Sequence, residues 1–220
     1  MSFAQEIQEK IIKEVVKRLQ ALEQEPYVPI GVSNRHIHLS QKDLNALFGE
    51  DYQLTKLKDL KQPGQFAANE TVTLIAPKGE MSGVRILGPV RSRTQVEISM
   101  TDCFKLGVPA LIRESGKVTD TPGMILKGPK GMVELKEGVI VAHRHIHVPP
   151  EFSEKFQLKD KEMVEVEVGG ERKTIYSNVL IRVSDNYELE MHLDTDEANA
   201  AGVKNGDFGK IRKGQESVCL

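Results

Sequence analysis

Residues 33–40 read Ser-Asn-Arg-His-Ile-His-Leu-Ser, and residues 142–149 read Ala-His-Arg-His-Ile-His-Val-Pro. The same four letters, Arg-His-Ile-His, recur 109 positions apart. Alternate residues of a strand face the same way, about 6.5–7 Å apart. His36 and His38 therefore present two imidazoles to one side, and His145 and His147 do likewise. Two converging imidazoles plus one further ligand form the protein share of a catalytic zinc site, whose last position stays open for water or substrate. The repeat offers that ligand in each half. Glu97 stands ten residues before Gly107-Val108, and His192 stands ten residues before Gly202-Val203, both in strand-like runs. One His-x-His alone reads most simply as a solvent-facing or core pair. Two copies and a repeat-matched third position take five of the six histidines, which favours one kind of half-site made twice. The sixth, His143, reads as a structural neighbour. A cupin would leave three or four residues between the pair and its Glu, a spacing at which this chain has Lys42 and Asp43. Cobalt or iron could occupy the same imidazole–carboxylate sites as zinc.

Cations come next. "LGPVRSR" sets Arg91 and Arg93 after a Gly-Pro turn, and both share strand parity with Glu97. That parity aims Arg91 at the metal face, where a guanidinium binds phosphate bidentately and neutralises developing charge. "APKGEMSGVRI" reads as a hairpin with Lys78 and Arg85 near its ends. Such a pair either holds a diphosphate or solvates a sheet edge. Cys103 has no His beside it in sequence and lies in a core-like segment, which argues against a nucleophile.

The elements that must position these groups are mostly strands. Phe3, Ile7, Ile11, Val15, Leu19 and Leu22, widened by Ile12 and Val16, give an amphipathic helix over 3–24 that Pro26 and Pro29 terminate. Beyond it, "TVTLIAP", "VRILGP", "QVEISM", "GVIVAH", "MVEVEVGG", "TIYSNVLIRV" and "YELEMHL" are short, β-branched and bounded by Gly, Pro or Asn. Two short helices are expected, at Gln41–Phe48 with Ser40 as N-cap and at Asp196–Ala201. Eighteen glycines among short strands suit barrels or sandwiches. The repeat predicts two related small β domains about a pseudo-twofold axis, with interior loops of unequal length, since first His to third ligand spans 61 residues in one half and 47 in the other.

Composition excludes several classes. A net charge of −2 over 220 residues and a pI near 6.3 argue against nucleic acid and anionic membrane partners. No apolar run approaches the roughly eighteen residues that span a bilayer, and the start lacks a secretion signal. Two cysteines, Cys103 and Cys219, fit a reducing cytoplasm, and "SVCL" is no prenylation box. Neither a Walker A loop nor a strand–GxGxxG–helix unit is present.

The motifs "GVSNRHIHLS", "QPGQFAANETV", "VRILGPVRSRTQVEIS", "GVIVAHRHIHVPP" and "HLDTDEANAAGV" together resemble the PduL-type phosphotransacylases, the phosphate propanoyltransferase family, over about residues 28–210. The resemblance implies a mainly β fold of two β-barrels with short capping helices, one barrel discontinuous. The divisions would be the helix at 1–24, a first barrel at 35–142, a second from 25–34 plus 143–213, and a tail at 214–220. It implies reversible transfer of propanoyl or acetyl between coenzyme A and inorganic phosphate, giving acyl phosphate and CoA, with two zinc ions per chain. His36, His38 and Glu97 would hold one ion, and His145, His147 and His192 the other. Arg91 falls on the phosphate-binding position, and Val32, Ser33, Asn34, Lys78, Arg85 and Asn199 on CoA-contacting ones. Phosphate held at Arg91 would attack the thioester directly, with no acyl-enzyme. Residues 3–24 would pack on their own barrel or in a homodimer, with docking to a bacterial microcompartment shell or cargo as the other reading; the short "EQEPYVPIG" linker favours the former. Two rivals stand beside this reading. A dinuclear zinc hydrolase would use the same ligands with hydroxide as nucleophile. A zinc-stapled binding module would need closed four-ligand sites. Acetyl and propanoyl differ by one methylene, worth only about 1–3 kcal/mol, and no residue announces which is preferred.

Overall fold

The computed structural model describes residues 3–212. The three–four apolar spacing gives α1 (Phe3–Glu23). Its Ile7, Ile11, Ile12, Val15 and Val16 are between 42% and 58% exposed, so these side chains do not pack on the barrel. The side chains of Phe3, Leu19 and Leu22, and the tail with Cys219, lie outside the described residues.

In chain order there follow β1 (Tyr27–Ser33), β2 (His36–His38), α2 (Gln41–Phe48), β3 (Lys56–Asp59), β4 (Phe66–Ala76), β5 (Gly79–Gly88) and β6 (Gln95–Glu97). Then come α3 (Met100–Leu106), β7 (Ile112–Arg113), β8 (Met124–Lys127), β9 (Met132–Leu135), β10 (Val139–Ala142) and β11 (His145–Val148). The last third adds α4 (Pro150–Phe156), β12 (Met163–Val168), β13 (Thr174–Val183), β14 (Glu190–Asp194), α5 (Thr195–Ala201) and β15 (Phe208–Arg212). As expected, Ser40 caps α2, its hydroxyl accepting from the Asp43 amide. The expected "APKGEMSGVRI" hairpin is the antiparallel turn between β4 and β5. Two helices, α3 and α4, were not legible, and both are only seven residues long, about two turns, too short for an apolar spacing to register.

The fold is mainly β. Strands β1-β14-β11-β13-β12-β15 close into a barrel, while β7-β10-β6-β2-β5-β4-β8-β9, with β3 on β4, form a nine-stranded sheet that stays open where the resemblance implied a second barrel. Its edges are β7, only two residues long, and β9. The two sheets are locally alike. β2 runs parallel to β5 and antiparallel to β6, just as β11 runs parallel to β13 and antiparallel to β14. Each His-x-His strand is preceded by a strand of the other sheet. β1 pairs with β14 in the barrel before the chain crosses to β2, and β10 pairs with β6 before the chain crosses to β11. These crossings, at Asn34–Arg35 and His143–Arg144, bring the two histidine strands to where the sheets meet.

Each sheet encloses its own apolar core. Ile37, Leu39, Leu74, Ile86 and Leu126 pack in the open sheet, and Ile30, Ile146, Val166, Ile181 and Met191 in the barrel. Ile37 and Ile146, the residues between the paired histidines, are fully buried. Burial of such an isoleucine is worth roughly 1.5–3 kcal/mol. With a period of two, anchoring the isoleucine inward turns both neighbouring imidazoles to the opposite face.

Candidate metal centre

Register delivers the third ligand of each half. His36 lies directly across from Glu97, and His145 directly across from His192. Directly opposed residues of an antiparallel pair share a face with Cβ atoms about 4.5–5.5 Å apart. The ligand atoms of His36, His38 and Glu97 accordingly lie within 4.8 Å of one another, as do those of His145, His147 and His192. His36 Nε2 is 3.5 Å from Glu97, and the His145 and His192 rings stack 5.0 Å apart. Both clusters line one cavity of about 770 Å³ between the sheets.

The likeness of the halves reaches the hydrogen bonds behind the ligands. His36 Nδ1 meets the Asn34 carbonyl at 2.8 Å, and His145 Nδ1 meets the His143 carbonyl at 2.8 Å. A carbonyl only accepts, so each Nδ1 carries the proton and each Nε2 offers a lone pair. His143 thus acts through its backbone. Arg35, just before His36, forks onto Asp102 with two bonds of 2.8 Å, and Arg144, just before His145, pairs with Glu197 at 3.0 Å. These acids open α3 and α5, whose N-caps Ser99 and Asp194 and left-handed C-cap glycines Gly107 and Gly202 also correspond. Glycine adopts that φ without the Cβ penalty. Two residues before each third ligand, Gln95 donates to Glu97 at 2.6 Å and Glu190 lies 3.1 Å from His192 Nε2. The second contact is off the line of a hydrogen bond, so His192 Nε2 stays unpartnered. Glu190 also accepts from Gln62 and packs against Gly31, where an added Cβ would sit 2.8 Å from its carboxylate.

The donor sets fit metal ions. His38 Nδ1, His147 Nδ1 and His192 Nε2 are buried with no hydrogen-bond partner, a costly arrangement that a bound cation would relieve. Burial, with help from neighbouring positive charge, holds His38 and His145 down at about 3 and His147 at about 2, so these imidazoles are bare at neutral pH. At His36 burial also pushes down, but the Glu97 charge outweighs it and the net direction is up. Glu97 is held well below the ordinary carboxylate range, burial being overcome by His36, His38 and Ser115.

Arg91 lines the cavity, but not by the expected strand parity, because β6 begins only at Gln95. Its backbone amide instead donates to Leu39 in a bridge beside Ser40, and its guanidinium reaches Ser115 at 3.3 Å. Arg93 turns outward to Glu137. Val32, Ser33, Asn34 and Arg85 line the cavity, Arg85 donating to the Ala68 and Asn69 carbonyls. Lys78 sits instead at the hairpin turn over the Phe104 ring, and Asn199 is exposed on α5; neither lines the cavity. Lys58, Lys61, Gln62, Arg182, Tyr187 and Glu190 do line it and were not singled out from sequence. Aligning the halves two residues before the third ligand would have found Glu190; Arg182 emerges only from sheet register.

The description of the phosphate propanoyltransferase family matches residues 29–204 of this chain. The chain belongs to that family. The phosphate propanoyltransferase of Thermotoga maritima is 52% identical over 203 residues, covering 92% of this chain and 97% of that protein. Its counterpart in Priestia megaterium is 50% identical over 211 residues, covering 96% and 97%, and that of Clostridioides difficile 48% over 204 residues, covering 93% and 96%. Membership of the phosphate propanoyltransferase family makes the chain an acyltransferase. None of its described helices is long and apolar enough to cross a membrane.

Proposed function

We propose that the protein transfers a short acyl group, propanoyl or acetyl, reversibly between coenzyme A and inorganic phosphate at a site holding two zinc ions. The observation that carries this reading is the pair of three-ligand clusters facing one cavity together with Arg91. His36, His38 and Glu97 hold one ion, and His145, His147 and His192 the other. Bound zinc supplies Lewis acidity that polarises the thioester carbonyl and favours the departing thiolate sulfur. Arg91 binds phosphate and orients one oxygen towards that carbonyl. A carbon–oxygen bond forms, the carbon–sulfur bond breaks, and the proton of hydrogen phosphate balances the released CoA thiolate. Cys103 takes no part: it is buried on α3, and burial raises its thiol to about 11.

CoA enters past Val32, Ser33, Asn34 and Arg85, with Lys58 and Lys61 as further cations for its phosphates. Lys78 and Asn199 would be met only by a part of CoA extending beyond the cavity. The chain divides into a first domain at 35–142 and a second from 25–34 plus 143–213. The exposed stripe of α1 docks on a second copy or inside a microcompartment. The test is metal content followed by CoA release from propanoyl-CoA, with and without phosphate. About two zincs per chain, and phosphate-dependent release that collapses in Arg91→Ala, are expected. Release indifferent to phosphate would establish a hydrolase instead.

A further inference from the structure

We propose that Arg182 is a second phosphate-binding residue, reaching the phosphoryl group from the barrel while Arg91 reaches it from the open sheet. The inference rests on the acyl-transfer reading above. Arg182 lies on β13 beside His147, its register partner on β11, and lines the cavity half-buried. Arg35, Arg93, Arg144 and Arg212 each have a carboxylate partner. Among the described residues that line the cavity, Arg85, Arg91 and Arg182 have none within ion-pair distance, and Arg85 is engaged with the Ala68 and Asn69 carbonyls, which leaves Arg91 and Arg182. Arg182 is held in place without an acid. The Tyr187 ring stacks on His147 at 4.1 Å and lies 5.7 Å from the Arg182 guanidinium carbon. A guanidinium packed on an aromatic face is oriented while its N–H fork stays free.

Charge completes the argument. Burial lowers the Arg91 pKa first, the Glu97 charge opposes it, and the charge of Arg182 adds to the lowering, so the two guanidiniums repel across the cavity. Two half-buried cations whose one nearby carboxylate, Glu97, belongs to the His36–His38 cluster are an arrangement that a further anion stabilises. A tetrahedral phosphoryl group suits both, since one fork occupies two oxygens and leaves a third for the other. Each sheet then contributes the same kit: a three-ligand cluster and one arginine.

The test uses the metal-loaded full chain as wild type, Arg182→Met and Arg182→Lys. KM for phosphate and for propanoyl-CoA would be measured, together with the Kd of inorganic phosphate by calorimetry. Arg182→Met should raise both phosphate constants about tenfold or more while leaving the propanoyl-CoA KM within about twofold, and Arg182→Lys should recover part of the loss. Phosphate constants within about twofold of wild type, or a rise confined to propanoyl-CoA, overturn the proposal. If Arg182→Met does not fold, Tyr187→Leu removes the ring that holds the guanidinium; it should raise the phosphate KM, and an unchanged value overturns the proposal equally. A wild type whose CoA release ignores phosphate removes the acyl-transfer reading itself. A wild type that needs phosphate, with indifferent Arg182 variants, removes only this inference.

Discussion

The Arg35–Asp102 fork should be the more costly of the two equivalent arginine pairs to break. Asp102 is 1% exposed, and its side chain receives both arms of Arg35, which is itself 35% exposed. Removing one partner of a fully buried pair costs about 3–5 kcal/mol because the other charge is stranded. Arg35 is partly hydrated, so the cost of Arg35→Met is reduced to about 2–3 kcal/mol. In Arg144→Met the stranded acid, Glu197, is 23% exposed and can recruit water, which brings the loss to about 1 kcal/mol. For a chain of this size these correspond to roughly 4–12 °C and 2–4 °C in Tm. The double variant Arg35→Met/Asp102→Leu leaves no orphaned charge and should recover more than half of the single variant's loss. Thermal unfolding of the four proteins with metal bound is the assay. Equal shifts for Arg35→Met and Arg144→Met, or a double variant no more stable than Arg35→Met, would refute the reasoning.

Acid should destabilise the metal-stripped protein through its histidines. His38, His145 and His147 are lowered to about 3, 3 and 2, burial being the main cause, whereas in the unfolded chain they titrate near 6.5. Above that value both states are neutral and nothing is lost. As pH falls from about 6.5 towards 3 the unfolded chain binds protons that the native state refuses, so stability drops by up to about 1.4 kcal/mol per group per unit. His36, whose pKa is raised, works in the opposite direction and offsets part of the loss. Urea midpoints between pH 7 and 5 should therefore decline, and a flat or rising profile would count against the buried, bare imidazoles. Gly31→Ala places a Cβ 2.8 Å from the Glu190 carboxylate and should push that group off His192. Metal retention at the barrel cluster should weaken about tenfold, read by chelator competition; unchanged retention would show that the Glu190 carboxylate does not help hold a cation beside His192.

The two three-residue clusters were legible because two signals coincided. Strand parity puts His36 and His38 on one face whatever the fold, and the Gly-Val spacing marks Glu97 and His192 as equivalent before any register is known. Register then sets each of them opposite the first histidine of its half. Arg91 was placed at the site on a mistaken ground, since parity was extended through Val90–Thr94, where the chain is a bend held by Leu39 and not a strand. What stayed hidden depends on pairing between distant segments. Nothing near Arg182 in sequence announces that β13 will lie against β11. Strands β3 and β9 gave no signal because they lie at or near sheet edges, largely exposed and without a buried alternating face. Closure of only one sheet was equally unreadable, since it turns on whether the edge strands meet.

The exchange of leading strands has a consequence for how the chain is made. Every strand of the open sheet lies between His36 and Ala142, so that sheet can form while the rest of the polypeptide is still being synthesised. The barrel cannot. Its first strand is also its oldest: β1 must wait beside the finished sheet until β14 emerges, and Tyr27 finds its partner only when Lys210 appears. Such late, distant pairing is the slow part of folding, because a long loop must close before any contact rewards it. The barrel's three histidines are therefore gathered last, and the complete pair of clusters belongs to nearly full-length chains. Nascent or truncated polypeptides that end before β14 retain at most one of the two.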